Sequence, residues 1–235
     1  MDITINSLNG IKLKTENTYL DEDINLSVGN KAFEEILYDG TSENGVLGEN
    51  KLASLVDRTI TEITESDLHG ATKIATYAFY YNSVLISIEI PNSVTTISSS
   101  ALSNCSSLTS VSIGSGVTSI GGNAFQNCSK LNTVTFAENS QLTTIGNVAF
   151  SGCSRLTSLT IPASVTKITN QGLQIGSSSN KATITFLGTT PPTIDSNIMA
   201  KSYLNQIIVP KGYGDTYKSA TNWSDFTDYI VEAEE

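Results

Sequence analysis

The stretch ISSSALSNCSSLTSVSIGSGVTSI, residues 97–120, decides the fold because it recurs on both sides of itself. One copy upstream, Ile74, Ala78, Phe79, Asn82, Leu85, Ile88, Ile90, Val94 and Ile97 fall into its register. Downstream, Ile120, Ala124, Phe125, Cys128, Leu131, Val134 and Phe136 do the same. A further copy follows at Ile145, Ala149, Phe150, Cys153, Leu156, Leu159, Ile161, Val165 and Ile168. The alanine slot advances by 23 residues from Ala78 to Ala101 and again to Ala124, then by 25 to Ala149, because the loop AENSQ (137–141) is two residues longer. Apolar residues locked in phase at such a period mark a solenoid.

Within a copy, Leu108, Val111 and Ile113 carry the strand signal. The alternation Val111-Ser112-Ile113 sends apolar side chains to one face and hydroxyls to the other. Val117 and Ile120, beyond a Gly-Ser-Gly turn, make a second inward leg, and Ala101-Leu102 (Ala-Phe in neighbouring copies) predicts a short helical turn closing the coil. Each coil offers roughly six apolar side chains at ~1.5–3 kcal/mol apiece. Ordering its backbone costs ~1–2 kcal/mol per residue, so a coil is stable only when stacked against neighbours.

The pattern Ile97-x3-Ala101-Leu102-x2-Cys105-x2-Leu108-x2-Val111-x-Ile113, with Pro91 and Pro162 directly after the strand in other copies, resembles the leucine-rich repeats, specifically the BspA-like family of bacterial surface proteins. The resemblance spans about residues 74–210. It implies an α/β solenoid with a parallel strand face, used for protein recognition or adhesion. About six coils are expected, with short helical turns, a helical C-terminal cap and a small β-rich N-terminal segment.

The ends depart from the repeat. Residues 1–30 alternate as strands at Ile3/Ile5, Ile11/Leu13 and Ile24/Leu26/Val28, and Asn9-Gly10 predicts a tight hairpin turn. Residues 31–38 and 51–57 predict two short helices, forming a cap or linker over 31–58. The solenoid is expected over 59–210, starting with a truncated repeat in which Asp67-Leu68 approximates the Ala-Phe slot. In the later copies Gly172-Leu173 holds that slot and Lys181 stands where a leucine is expected. Tyr213, Tyr217, Trp223, Phe226 and Ile230 predict a helix-plus-tail C-terminal cap over 211–235.

Charge is uneven. Residues 1–70 hold 14 acids and 5 bases, 71–190 hold 2 and 5, and 191–235 hold 7 and 3, for a net −10. Acidic ends on a nearly neutral stack discourage end-to-end growth of open strand edges. They argue against nucleic acid or an anionic membrane as partner. No long apolar run suggests membrane insertion. An extracellular or cell-surface location is expected, with any leader lying outside this chain.

Several residues invite a chemical role. Cys105, Cys128 and Cys153 share one repeat slot, filled by Asn82 in the first copy. One cysteine per coil, without CxxC spacing and in odd number, suits a small inward side chain better than a metal or disulfide. His69 has no partner at ligand or triad spacing. Asp21-Glu22-Asp23 lacks the calcium-loop pattern and reads as a solvated turn. Asn104-Cys105-Ser106 and Asn127-Cys128-Ser129 match the glycosylation sequon, with the asparagines expected largely inward. No catalytic, cofactor or metal residues are assigned, and an enzyme is not expected.

The outward strand positions are Ser87/Glu89, Ser110/Ser112, Thr133/Thr135, Ser158/Thr160 and Thr183/Thr185, continuing to Gln206/Ile208. They predict a flat six-strand hydroxyl stripe, a partner-binding face for a protein or glycan on a monomer. Serine and threonine also suit exposed strands for packing reasons alone. The stripe lacks the Tyr, Trp or Arg anchors usual at interfaces. Tyr77, Tyr80 and Tyr81 sit beside the first coil on another face. The alternative is a structural or receptor-binding component of a phage-tail-like assembly, with residues 1–30 as the attachment piece.

Overall fold

The computed structural model describes residues 2–8, 11–16, 61–68, 70–195 and 197–234. β1 (Asp2–Leu8) and β2 (Ile11–Glu16) pair antiparallel, Ile5 opposite Leu13. The third N-terminal strand, the two helices expected over 31–38 and 51–57, His69 and Asp21-Glu22-Asp23 lie outside the described residues.

From residue 61 the chain alternates between two sets of strands. They are β3 (Glu62–Ile63), β4 (Lys73–Ile74), β5 (Ser87–Ile90), β6 (Thr96–Ile97), β7 (Ser110–Ile113), β8 (Ser119–Ile120), β9 (Thr133–Phe136) and β10 (Thr144–Ile145). There follow β11 (Ser158–Ile161), β12 (Lys167–Ile168), β13 (Ala182–Phe186), β14 (Thr193–Ile194) and β15 (Leu204–Val209) and, after helix α1 (Gly214–Ser219), β16 (Ile230–Glu232). The short strands β4, β6, β8, β10, β12 and β14 form one continuous six-stranded parallel sheet. The longer set forms two parallel sheets of four, β3-β5-β7-β9 and β11-β13-β15-β16. Within each of these sheets a strand pairs with its counterpart one coil away, so Val111 lies between Ile88 and Val134.

Sequence alternation becomes burial directly. In β7, Val111 and Ile113 are buried and Ser112 is exposed. Between the sheets, Phe125 and Phe150 of successive coils stack with ring centroids 5.1 Å apart and planes 5° from parallel. Both are fully buried, as are Leu102 and Leu173 in the same slot.

The Ala-Phe slot forms linked turns and not the expected helical turn. The Ala101 amide bonds back to the Ser98 carbonyl at 3.3 Å, whereas Leu102 and Asn104 donate across the stack to Ala124 and Gln126 at 2.8 and 2.7 Å. The cause is backbone: Ser100 and Asn104 have φ of 56° and 62°, and Asn123, Asn127, Val148 and Gln171 repeat this downstream. A left-handed residue interrupts a helix and turns alternate amides towards the next coil. The post-strand turn is tight enough that a Cβ on Gly114 would lie 2.6 Å from the Pro91 carbonyl carbon.

A second ladder runs along the stack. The hydroxyls of Thr95, Thr118, Thr143, Thr166 and Thr193 each donate to the carbonyl of a threonine one coil earlier, at 3.0–3.3 Å. At the C-terminal end Tyr217, Trp223 and Phe226 are buried, Tyr217 and Trp223 packing on Phe186 and Phe226 on Trp223. Their polar atoms are satisfied by the last coils: Tyr217 Oη donates to Gly188 O at 2.7 Å and Trp223 Nε1 to Pro192 O at 3.0 Å. The expected tail is in part a strand, since β16 adds to the sheet edge beside β15, Ile230 opposite Ile207.

Candidate binding face

The long-strand set brings the expected face residues into two columns. Ser87, Ser110 and Thr133 stand side by side, as do Glu89, Ser112 and Thr135. Ser158 aligns with Thr183 and Gln206, and Thr160 with Thr185 and Ile208. Glu89, Ser112, Thr133, Thr135, Ser158 and Thr160 are exposed, while Ser87, Ser110, Thr183 and Thr185 are half-buried. Two positions escaped the sequence argument: Glu62 extends one end, opposite Ser87, and Val231 the other, opposite Ile208. Glu62 lies in a two-residue strand, and Val231 follows a cap with no repeat phase. Glu89 also accepts the Glu65 amide at 3.2 Å, so it closes the first coil.

The face is not the single flat sheet of six strands that the sequence suggests. It divides between β9 and β11, which share no ladder although β8, β10 and β12 run on unbroken behind them. One cause is Pro162. Directly after a strand, Ala137 N donates to Ile113 O at 2.9 Å and Leu187 N to Ile161 O at 3.0 Å. Pro162 holds the intervening slot and has no N–H to offer the Phe136 carbonyl. The longer loop over 137–141 lies at the same junction. A cleft of about 410 Å³ opens there, lined by Val134, Thr135, Phe136, Ala137, Glu138, Ser140, Thr160, Pro162, Ala163, Ser164 and Leu187.

The cysteines are free and fully buried. Each thiol donates to a carbonyl of the preceding coil: Cys105 to Phe79 at 3.0 Å, Cys128 to Leu102 at 3.1 Å and Cys153 to Phe125 at 3.2 Å. The neighbouring Cys128 thiol and burial push Cys105 up, and burial pushes Cys153 up, which removes thiolate character. In the first coil the Asn82 side-chain oxygen accepts the Val84 and Leu85 amides instead. The sequon asparagines are corrected: Asn127 is exposed and Asn104 half-buried, joined side chain to side chain at 3.1 Å. Their left-handed backbone turns them outward, beside the inward thiols.

Tyr77, Tyr80 and Tyr81 pack edge to face, with centroids 5.1 and 4.5 Å apart, and Tyr77 and Tyr81 are exposed. Both have positive φ, 61° and 59°, as do the residues in the same slots of the next coils, Ser100 and Asn123 for Tyr77 and Asn104 and Asn127 for Tyr81. Burial and the neighbouring Tyr81 raise the Tyr80 phenol. Among the described residues no group of three or more His, Cys, Asp or Glu side chains could hold a metal ion, and no helix is long and apolar enough to cross a membrane.

Stacked coils with a parallel strand face, inward Leu/Val/Ile positions and a capped end define a leucine-rich-repeat solenoid. The chain belongs to the BspA-type leucine-rich repeat family: the model of the "BspA type Leucine rich repeat region" matches six copies over residues 58–180 and 107–227. Among solved structures, the T. pallidum leucine-rich repeat protein TpLRR is similar, with 25% identity, a TM-score of 0.52, and 59% of this chain and 63% of that one covered. A leucine-rich cell surface protein from Faecalibacterium prausnitzii A2-165 matches at 23% identity and TM-score 0.47, covering 73% of this chain and 55% of that one. The chain thus spans less than two thirds of either. No curated protein matches it.

Proposed function

We propose that this chain is a non-enzymatic recognition module, displayed outside a bacterial cell, that binds a protein partner through its long-strand face. The observation that carries this is the pair of exposed hydroxyl columns, held in register by the parallel ladders. Short side chains on a rigid backbone present a broad surface that loses little side-chain entropy on contact. Membership of the BspA-type family supports both the binding role and the surface location. The acidic balance leaves nucleic acid and anionic lipid as poor partners.

Ser112→Arg combined with Ser158→Arg places one long side chain on each four-stranded sheet. Both positions are exposed and neither lines the cleft. Exposed changes stay within ~0.5 kcal/mol, so the melting profile should be unchanged. Binding to any partner found in an array of host matrix proteins and glycans should be lost. A variant that binds a confirmed partner as well as the parent would move the site off this face.

A further inference from the structure

The split in the strand face does more than interrupt it. In a parallel ladder each strand directs alternate backbone groups to either neighbour. Since β9 and β11 do not pair, each keeps an unused edge facing the cleft. The walls carry apolar surface from Val134, Phe136, Pro162 and Leu187, and Leu187 is 54% exposed at the rim, unusually open for a large apolar residue here. Ser164 Oγ, also on the wall, is buried without a hydrogen-bond partner. Glu138 is the one charged side chain of the lining, and Thr135 and Thr160 stand on the lip from the exposed columns.

We infer that this cleft is the anchor pocket of the binding face. It receives a single apolar or aromatic side chain of a protein partner, next to a lysine or arginine. This rests on the strand-face reading above and supplies what that face lacks. Interfaces centre on a large anchor seated in a desolvated pocket; with no anchor among the hydroxyls, the anchor comes from the partner. The lone carboxylate, on a chain of net charge −10, selects a basic neighbour. A sugar would want an open aromatic platform, and the only ring here, Phe136, is half-buried. At about 410 Å³ the space is near the lower end of the ~300–1,000 Å³ typical of ligand pockets.

The test titrates the ¹⁵N-labelled full chain with N-acetyl-lysyl-tryptophan amide, N-acetyl-glutamyl-tryptophan amide and N-acetylglucosamine. The lysyl probe should give saturable shifts confined to amides around the cleft, Val134, Phe136, Thr160 and Leu187 among them. It should bind several-fold more tightly than the glutamyl probe at low salt. Ala163→Phe, at an exposed lining position, should weaken it by about tenfold or more while leaving the melting profile unchanged. Should that variant fold poorly, Leu187→Ala at the rim carries the same test with a several-fold loss. Absent shifts, shifts centred on Tyr77, Tyr80 and Tyr81, preference for the sugar, or parental affinity in the folded variant would each overturn the pocket. With a confirmed protein partner, loss in Ser112→Arg/Ser158→Arg but not in Ala163→Phe would reject the cleft and keep the face.

Discussion

Val148 shows how strongly the repeat backbone is imposed on individual residues. It sits at φ 49°, in the slot held by Asn123 one coil earlier, although a β-branched side chain is poorly suited to the left-handed region. Val148→Asn should therefore stabilise the fold by ~1 kcal/mol, read as a higher denaturant midpoint. Inward and outward slots should differ more sharply. Phe125 is fully buried and stacked on Phe150, so Phe125→Ala should cost ~3–5 kcal/mol. Ser112→Ala, at an exposed position, should stay within ~0.5 kcal/mol. Denaturant melts ranking these two the other way would refute the register.

At the scale of elements, the C-terminal cap is fastened by polar atoms as well as apolar area. Tyr217 is buried with its hydroxyl on the Gly188 carbonyl, and burial pushes its phenol up to about 12. In the unfolded chain a tyrosine ionises near ~10. The unfolded state therefore loses this proton first, so the contribution of Tyr217 is fully present below about pH 10 and drains away towards about pH 12. Tyr217→Phe should flatten that part of the alkaline stability profile, measured by urea unfolding across this range. Glu232 of β16 works in the opposite sense. It accepts the Gly212 and Gly214 amides at 2.8 Å each, which lowers its carboxyl, so its contribution fades as the solution is acidified.

Over the whole molecule, each coil is held by its neighbours, and the weakest lateral junction of the strand face is the unpaired step between β9 and β11. Opening should follow that seam. Trp223→Ala removes a fully buried side chain from the cap, with an expected cost of ~3–5 kcal/mol. In hydrogen exchange the variant should lose protection across β11, β13 and β15 before β5, β7 and β9. Simultaneous loss in both sheets would show that the six-stranded sheet behind the seam couples the two halves fully.

The repeat phase by itself determined which apolar side chains face inward, where the long strands of the regular coils lie, and that the three cysteines are small inward side chains. Such information is local: residue type at a fixed period reports burial because every coil meets nearly the same environment. Only the tertiary structure decided how coils join. Pro162 and the longer loop are both visible in the sequence, yet Pro91 holds the same slot, so neither alone foretold a divided face. The division depends on a missing donor meeting a carbonyl one coil away beside an enlarged loop. The outward turn of Asn104 and Asn127 likewise needed backbone angles that amphipathic patterning does not encode. The same is true of β16, whose place on the sheet edge is set by how the cap packs on the last coil.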